Sequence, residues 1–427
     1  MVDYINLDYS PNENDLVAMY YIERAPESCP NLEKACEEVA KESSIGTWTE
    51  ISTMSKDIAT NLRPSVYSID EDNHIAKIAY TYKLFEAGNM SQIMSAVAGN
   101  IYGMKALNNL RLLDITFPKN IVDAYPGPKF GIKGIRKLTK IEGRPLLGTI
   151  VKPKVGLNEI EHARVCGQAW TGGLDIVKDD ENLTSMVFNQ FEKRIVQTLK
   201  IRDKVEIETG EKKIYMPNIT APVKVMKHRA DVVIEHGGEY VMLDILTVGF
   251  SALQEIRDYL EDKDIVIHAH RAMHAAITRN RKHGMTMLVL AKIMRLLGMD
   301  QLHTGTVIGK MEGGKQEVIE INKVITENKI HGNNITTLDQ NWRNIKPILP
   351  VASGGLSPLH IPELIKILGK DMIYQFGGGC HGHPEGTLAG AKAIRQAMDA
   401  TLEGISLEDK AKKCSELRNA IEKWGRS

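Results

Sequence analysis

The sequence has no surplus of charge of either sign: across 427 residues, 54 Lys and Arg stand against 54 Asp and Glu. Chains that bind nucleic acid usually carry a basic excess. The balance therefore argues against a polyanion partner and leaves room only for a local basic pocket. Long apolar runs are also missing. The richest window, 285–294, is interrupted by Lys292 and falls far short of the ~20 apolar residues that span a bilayer, so no membrane role is expected. Residues 1–15 are polar and acidic, without the basic start and apolar stretch of a secretory leader. Cysteine is sparse: Cys29, Cys36, Cys166, Cys380 and Cys414 are odd in number and form no CxxC pair. The expectation is reduced thiols in a cytoplasmic protein, not a disulfide framework. No sequence motif repeats, and no tract is of low complexity.

What is present is an architectural recurrence. From Gly148 onward, short β-branched apolar runs alternate with longer amphipathic stretches of helical spacing. The runs are Gly148–Lys154, Gly173–Asp180, Lys213–Thr220, Glu239–Leu246, Ile265–Arg271, Gln301–Thr306, Ile348–Gly355 and Met372–Gly379. Eight nearly continuous runs, separated by segments long enough for crossover helices, predict the parallel strands of a (β/α)8 TIM barrel. The first ~125 residues mix strand-like runs (Asp15–Ile22, His74–Tyr82) with helical ones (Asn31–Glu42, Met90–Gly99) and read as a smaller α+β domain. The Pro/Gly-rich stretch 125–128 predicts a division into residues 1–125 and 126–427, the latter ending in a short helical tail.

All eight runs end in residues that a buried strand would not otherwise want: Lys152 and Lys154; Lys178, Asp180 and Glu181; Asn218; Asp244; His268, His270 and Arg271; His303; Ser353 to Gly355; Gly377 to Gly379. Any one of them is explained as well by a paired polar residue closing a strand. All eight together point to the C-terminal face, where TIM-barrel active sites sit. In 173–181, strand alternation puts Lys178 and Asp180 on one side, with Glu181 where the strand opens. Two carboxylates suit Mg²⁺. Lys178 is either an ion-pair partner that offsets them or, desolvated and neutral, an amine that takes up CO₂ as a carbamate. His268 and His270 form an HxH pair, which can bind zinc, whereas the adjacent Arg271 suits an anionic substrate group. Glycine clusters after the seventh and eighth strands lie where TIM barrels often bind phosphate, although a tight turn also accounts for them. Lys310, flanked by glycines after the sixth strand, reads either as the cation of a closing lid or as a solvated loop lysine.

These stretches, in this order, resemble the signatures of the ribulose-1,5-bisphosphate carboxylase/oxygenase family: 148–154, 173–181, 268–274, His303-Thr-Gly-Thr, Gly309-Lys-Met-Glu-Gly313, Ser-Gly-Gly355 and Gly377-Gly-Gly379. Glu42 to Trp48 and Gly99-Asn100 resemble motifs of the family's N-terminal domain, so the likeness spans Asp15 to about Thr401. The resemblance implies Mg²⁺ held by Asp180, Glu181 and Lys178 as its CO₂-derived carbamate. It implies proton transfer by Lys152, supported by Lys154 and assisted by His270, and a lid lysine, Lys310, paired with Glu42. Arg271, His303 and Ser353 would hold one end of ribulose 1,5-bisphosphate. Gly355, Gly377, Gly378, Thr47 and Trp48 would hold the other phosphate, and Asn100 would contact substrate. CO₂ or O₂ would add to the enolised sugar. A homodimer or an assembly of dimers is implied, each N-terminal domain covering its partner's site.

The segment 148–152 carries Ile150, and the short N-terminus and trimmed tail resemble the archaeal form III branch. That branch implies salvage of nucleotide-derived ribose (AMP metabolism) without a small subunit. Two rivals remain: a RuBisCO-like enolase or isomerase on the same barrel, and a non-catalytic barrel protein. The first often loses lid or phosphate residues and the second would lose strand-end polar residues at random; here both sets are present.

Overall fold

The computed structural model describes residues 2–308, 314–333 and 335–425. The chain divides into two compact units, one formed by Met1–Gly127, Met273–Leu297 and Glu327–Ile345, the other by Pro128–Ala272, Gly298–Thr326 and Lys346–Ser427. Among the described residues, no helix is long and apolar enough to cross a membrane.

The second unit is the barrel. Its strands are β1 Leu146–Ile150, β2 Ile176–Lys178, β3 Ile214–Met216, β4 Tyr240–Asp244, β5 Val266–His270, β6 Gln301–His303, β7 Leu349–Ser353 and β8 Ile373–Gln375. Seven strands fall within their predicted runs, and β1 overlaps the first run but starts ahead of it, at Leu146 instead of Gly148. They lie side by side in the order β3-β2-β1-β8-β7-β6-β5-β4, every neighbouring pair is parallel, and a parallel bridge from Asn218 to Met242 joins β3 to β4 and closes the ring. Helices such as Glu159–Thr171, Phe191–Thr209 and Val223–Glu235 follow successive strands. The first starts where it does because Asn158 and Glu161 form a capping box, each side chain satisfying the other's free backbone N–H.

Side chains alternate along each strand. Leu146, Ile176, Ile214, Met216, Tyr240, Val266, Leu349, Val351 and Ile373 meet in one buried core with Ile135 of helix Gly131–Thr139. That cluster fixes which parity faces inward. Counting on by twos toward the C-terminal ends turns Ile150 and Lys152, Lys178 and Asp180, Asn218, Asp244, His268 and His270, His303, Ser353 and Gly377 inward as well. The lower interior is therefore apolar and the upper interior polar. At the opposite end, the fully buried Asp300 takes backbone N–H groups from Phe130 (2.7 Å), Gly131 (3.3 Å) and Ile267 (3.0 Å).

The first unit holds a five-stranded sheet in the order Gly284–Met285, Leu107–Thr116, Asp15–Arg24, Ile75–Thr81, Ser65–Asp70. It is antiparallel except where Gly284–Met285 pairs with Leu107–Thr116. Two distant segments join it for an electrostatic reason. Asp114 is fully buried, pairs with Lys292 at 2.7 Å and accepts the Leu338 N–H at 2.7 Å. A buried carboxylate without such partners would be strongly destabilising. Helix Met287–Leu296 and the stretch Glu327–Ile345 are thus tied to strand Leu107–Thr116. The expected strands and helices of residues 15–99 are present, whereas strands Ser65–Asp70 and Leu107–Thr116 went unread in the sequence.

Candidate active site

The polar strand ends converge at the C-terminal mouth of the barrel. Lys152 Nζ donates to Asp180 Oδ2 at 2.6 Å, and Lys154 Nζ lies 3.5 Å from Glu181 Oε1. Asp180 is fully buried, and its other oxygen accepts the backbone and side-chain N–H groups of Asn182 at 3.2 and 3.1 Å. Burial by itself would raise the Glu181 carboxyl, but the Lys178 and His270 cations outweigh it and bring it down to about 2. The Lys152 and Lys154 side chains thus stand against the two carboxylates, at Asp180 and Glu181 respectively.

Lys178 is different. Fully buried, it reaches no carboxylate within ion-pair distance among the described residues and donates instead to the Asp179 carbonyl at 2.7 Å and to Met242 Sδ at 3.0 Å. Burial lowers its pKa, more than Glu181, Asp244 and Asp180 raise it. A lysine so placed holds an accessible neutral fraction, the form in which an amine acts as nucleophile. The simple ion-pair reading of Lys178 therefore loses its geometric support.

Asp179 faces the other way. Its carboxylate takes Arg194 at 3.1 Å, the Tyr215 hydroxyl at 2.7 Å and the Asn218 N–H at 3.0 Å, with His162 Nε2 at 3.1 Å. Burial would raise this carboxyl, yet Arg194 and His162 hold it well below the usual range. Asn218 in turn donates to the Glu181 carbonyl at 3.0 Å. This buried lattice braces the acidic loop from behind. The sequence reading missed Asp179 and Arg194; the available signal was parity, which sets Asp179 opposite Lys178 and Asp180.

On the far wall, Asp244 Oδ1 lies 2.8 Å from His270 Nδ1, and His270 Nε2 lies 3.7 Å from Glu181 Oε2. The Ala272 N–H also approaches Nδ1, at 3.3 Å, so Asp244 and Ala272 together fix the ring and leave Nε2 on the Glu181 side. Burial, with the Lys178 cation, lowers the His270 pKa against the pull of Asp244. His268 bridges Gln301 Oε1 (2.8 Å) and His303 Nε2 (2.9 Å), and burial pushes it down to about 3. His268 and His270 thus have separate partners and do not converge as a zinc pair. Among the described residues, no three His, Cys, Asp or Glu side chains converge as a metal site; Asp180 and Glu181 supply two hard oxygen donors.

Arg271 has no hydrogen-bond or ion-pair partner among the described residues, and burial lowers its pKa to about 10. One of its guanidinium nitrogens would lie 2.9 Å from a Cβ placed on Gly305. It is a cation available for an anionic group. Ser353 ends β7, and Gly354 and Gly355 follow with φ of 116° and 68°, the left-handed region that favours glycine. A Cβ on Gly378 would meet nothing within 4 Å, and one on Gly377 only Lys152 Cε at 3.4 Å. The turn after β8 thus borders open space beside Lys152.

The remaining predicted residues belong to the first unit or lie outside the description. Glu42 ends helix Leu32–Glu42, Thr47 is partly buried, Trp48 is 84% exposed and the exposed Asn100 opens the turn Asn100–Gly103, which packs against that helix. Lys310, with residues 309–313, lies outside the described residues.

Comparison with known proteins follows this geometry. The family model for the ribulose bisphosphate carboxylase large chain, catalytic domain, matches residues 131–424, and that for the large chain's N-terminal domain matches residues 3–121. The ribulose bisphosphate carboxylase of Methanocaldococcus jannaschii is 54% identical over 431 residues, covering 99% of this chain and 100% of that protein. Among solved structures, the octameric ribulose-1,5-bisphosphate carboxylase/oxygenase of Pyrococcus horikoshii OT3, complexed with sulfate ion, is similar at TM-score 0.93 and 46% identity, over 100% of this chain and 97% of that one. The dimeric archaeal Rubisco of Hyperthermus butylicus matches at TM-score 0.93 and 40% identity, over 99% of both chains.

Proposed function

The chain belongs to the ribulose bisphosphate carboxylase large-chain family, and from that premise we propose that it joins CO₂ to ribulose 1,5-bisphosphate and cleaves the product to 3-phosphoglycerate, with O₂ as the competing substrate. The observation that carries this reading is the grouping of Lys178, Asp180 and Glu181 at one strand end: two carboxylates beside a fully buried lysine that donates to the Asp179 carbonyl and Met242 Sδ instead of to either of them. The neutral Lys178 amine would add CO₂ through Nζ and release a proton to solvent, giving a carbamate, a third anionic oxygen donor, and the three together would fit Mg²⁺. When bound, Mg²⁺ polarises the substrate carbonyl and stabilises charge developing on the substrate oxygens.

The chain's own groups supply the remaining steps. Lys152, held as an ammonium at 2.6 Å by Asp180, is placed to give a proton and take it back, with Lys154 beside it. His270, its Nδ1 fixed by Asp244, offers Nε2 as a second proton carrier. Arg271, His303 and Ser353 receive one end of the substrate, and Gly355, Gly377 and Gly378 the other phosphate. Lys310 brings its cation to the incoming CO₂, paired with Glu42. A second copy completes the site with Glu42, Thr47, Trp48 and Asn100, which the exposure of Trp48 and Asn100 supports. No small subunit takes part. The resemblance to the archaeal form III branch carries the proposal of a role in nucleotide-derived ribose salvage, in the cytoplasm.

The test is carboxylation with ribulose bisphosphate, Mg²⁺ and labelled bicarbonate. Preincubation with CO₂ and Mg²⁺ raises the initial rate, and Lys178→Ala abolishes turnover. Full activity of Lys178→Ala removes the carbamate. Enolisation without incorporated label marks a RuBisCO-like enolase instead.

A further inference from the structure

Behind the glycine turn that follows β8 lies a second polar cluster that the reaction scheme leaves unused. Thr149 sits on β1 between the inward-facing Gly148 and Ile150, so its side chain points away from the barrel interior. Its hydroxyl lies 2.7 Å from the Phe376 carbonyl and 2.9 Å from His381 Nε2. His381 Nδ1 lies 3.0 Å from Thr387 Oγ1. The Phe376 carbonyl can only accept, so Thr149 O–H donates to it and Nε2–H donates to Thr149 Oγ1. Burial, then the nearby Lys152 ammonium, pushes His381 down to about 4, so the ring is neutral and Nδ1 accepts from Thr387 O–H.

The consequence follows from peptide geometry. In a trans peptide the C=O and the following N–H point in opposite directions. Phe376 N–H is already bound to the Gly148 carbonyl at 2.9 Å. Anchoring the Phe376 carbonyl outward on Thr149 therefore turns the Gly377 N–H inward, toward the open space beside Lys152.

We infer that His381 is a positioning residue for the phosphate-binding turn: through Thr149 it holds the Phe376–Gly377 peptide in the orientation that presents Gly377 N–H to a substrate phosphate. This rests on the reading of Gly377 and Gly378 as phosphate-binding, so the experiment separates the two. His381→Leu, Thr149→Val, Thr149→Ser, the Thr149→Val/His381→Leu double variant and Gly378→Ala are compared with the unmodified chain. The readouts are KM and kcat for ribulose bisphosphate, its calorimetric Kd without Mg²⁺, and the melting temperature. His381→Leu and Thr149→Val each raise KM and Kd about five- to tenfold, the scale of one lost hydrogen bond, with kcat within about twofold. Thr149→Ser restores the unmodified values, and the double variant is no worse than the poorer single one, because both changes cut the same chain of bonds. Gly378→Ala, whose Cβ enters open space, raises KM without lowering the melting temperature. Unchanged KM and Kd in Thr149→Val and in folded His381→Leu, with KM raised in Gly378→Ala, overturn the positioning role and leave the phosphate turn standing. If Gly378→Ala also leaves KM unchanged, the phosphate reading falls and the inference falls with it.

Discussion

Asp179 and Asp300 are both fully buried carboxylates, and their surroundings push them in opposite directions. Asp179 faces Arg194 and His162 and is held low. Asp300 is fully buried, and burial, outweighing the three backbone N–H groups it accepts and the charge of Arg257, pushes it up to about 6. A carboxyl with a raised folded-state pKa binds more protons in the folded chain than in the unfolded one. Its stabilising contribution is complete below the unfolded value, near 4, and is lost as pH rises through about 6. A two-unit difference corresponds to at most about 3 kcal/mol. Asp300→Asn removes this dependence. Melting temperatures measured from pH 4 to 7 should therefore fall more steeply for the unmodified chain than for the variant; parallel curves would show that Asp300 keeps an ordinary pKa. His162, Arg194, Thr149 and His381 were not legible as site residues for a related reason. Each acts by supporting another residue, and a supporting bond made across 15 to 232 positions leaves no local motif.

At the scale of the element, β-strand alternation divides the labour. Inward positions carry the groups proposed to meet substrate, and the outward neighbours Thr149 and Asp179 hydrogen-bond behind them. The eight strands could be read in advance because a parallel strand buried on both faces demands a nearly continuous apolar run. Strand Leu107–Thr116 could not, because its run contains Arg111 and Asp114. Their charges are accommodated by the carbonyl of Thr278 and by Lys292, more than 150 positions away along the chain. The loop after β6 was read from its glycines alone, and its Lys310 falls outside the described residues. If this lysine acts on the CO₂ step more than on enolisation, Lys310→Ala loses carboxylation while still exchanging the substrate's C3 proton with solvent. Parallel loss of exchange and carboxylation, followed by NMR and by label incorporation, would sink that assignment.

At the scale of the whole molecule, the proposed site draws on residues from both units, Lys152 from one and Asn100 from the other. If each site is shared across a two-fold dimer, Lys152→Ala and Asn100→Ala inactivate opposite sides of it. In a mixed dimer one site then carries both defects and the other neither. Co-folding equal amounts should restore ~25% of the original activity under random assortment, since half the dimers are mixed and half their sites intact. Verified mixed dimers that stay as inactive as either parent would place the whole site within one chain.

The sequence by itself determined the barrel, the face that carries the chemistry and most of the groups at its mouth. Those depend on hydrophobic periodicity and on the polar residue that ends each run, and both are local properties of the backbone. Only the tertiary structure decided which residues share a charge. It turned Lys178 to the Asp179 carbonyl, gave Asp180 to Lys152, turned Asp179 toward Arg194 and His381 toward Thr149, and drew Met273–Leu297 and Glu327–Ile345 into the first unit. A buried charge or donor must find a partner wherever the fold brings one within reach, and spacing along the chain does not record that distance.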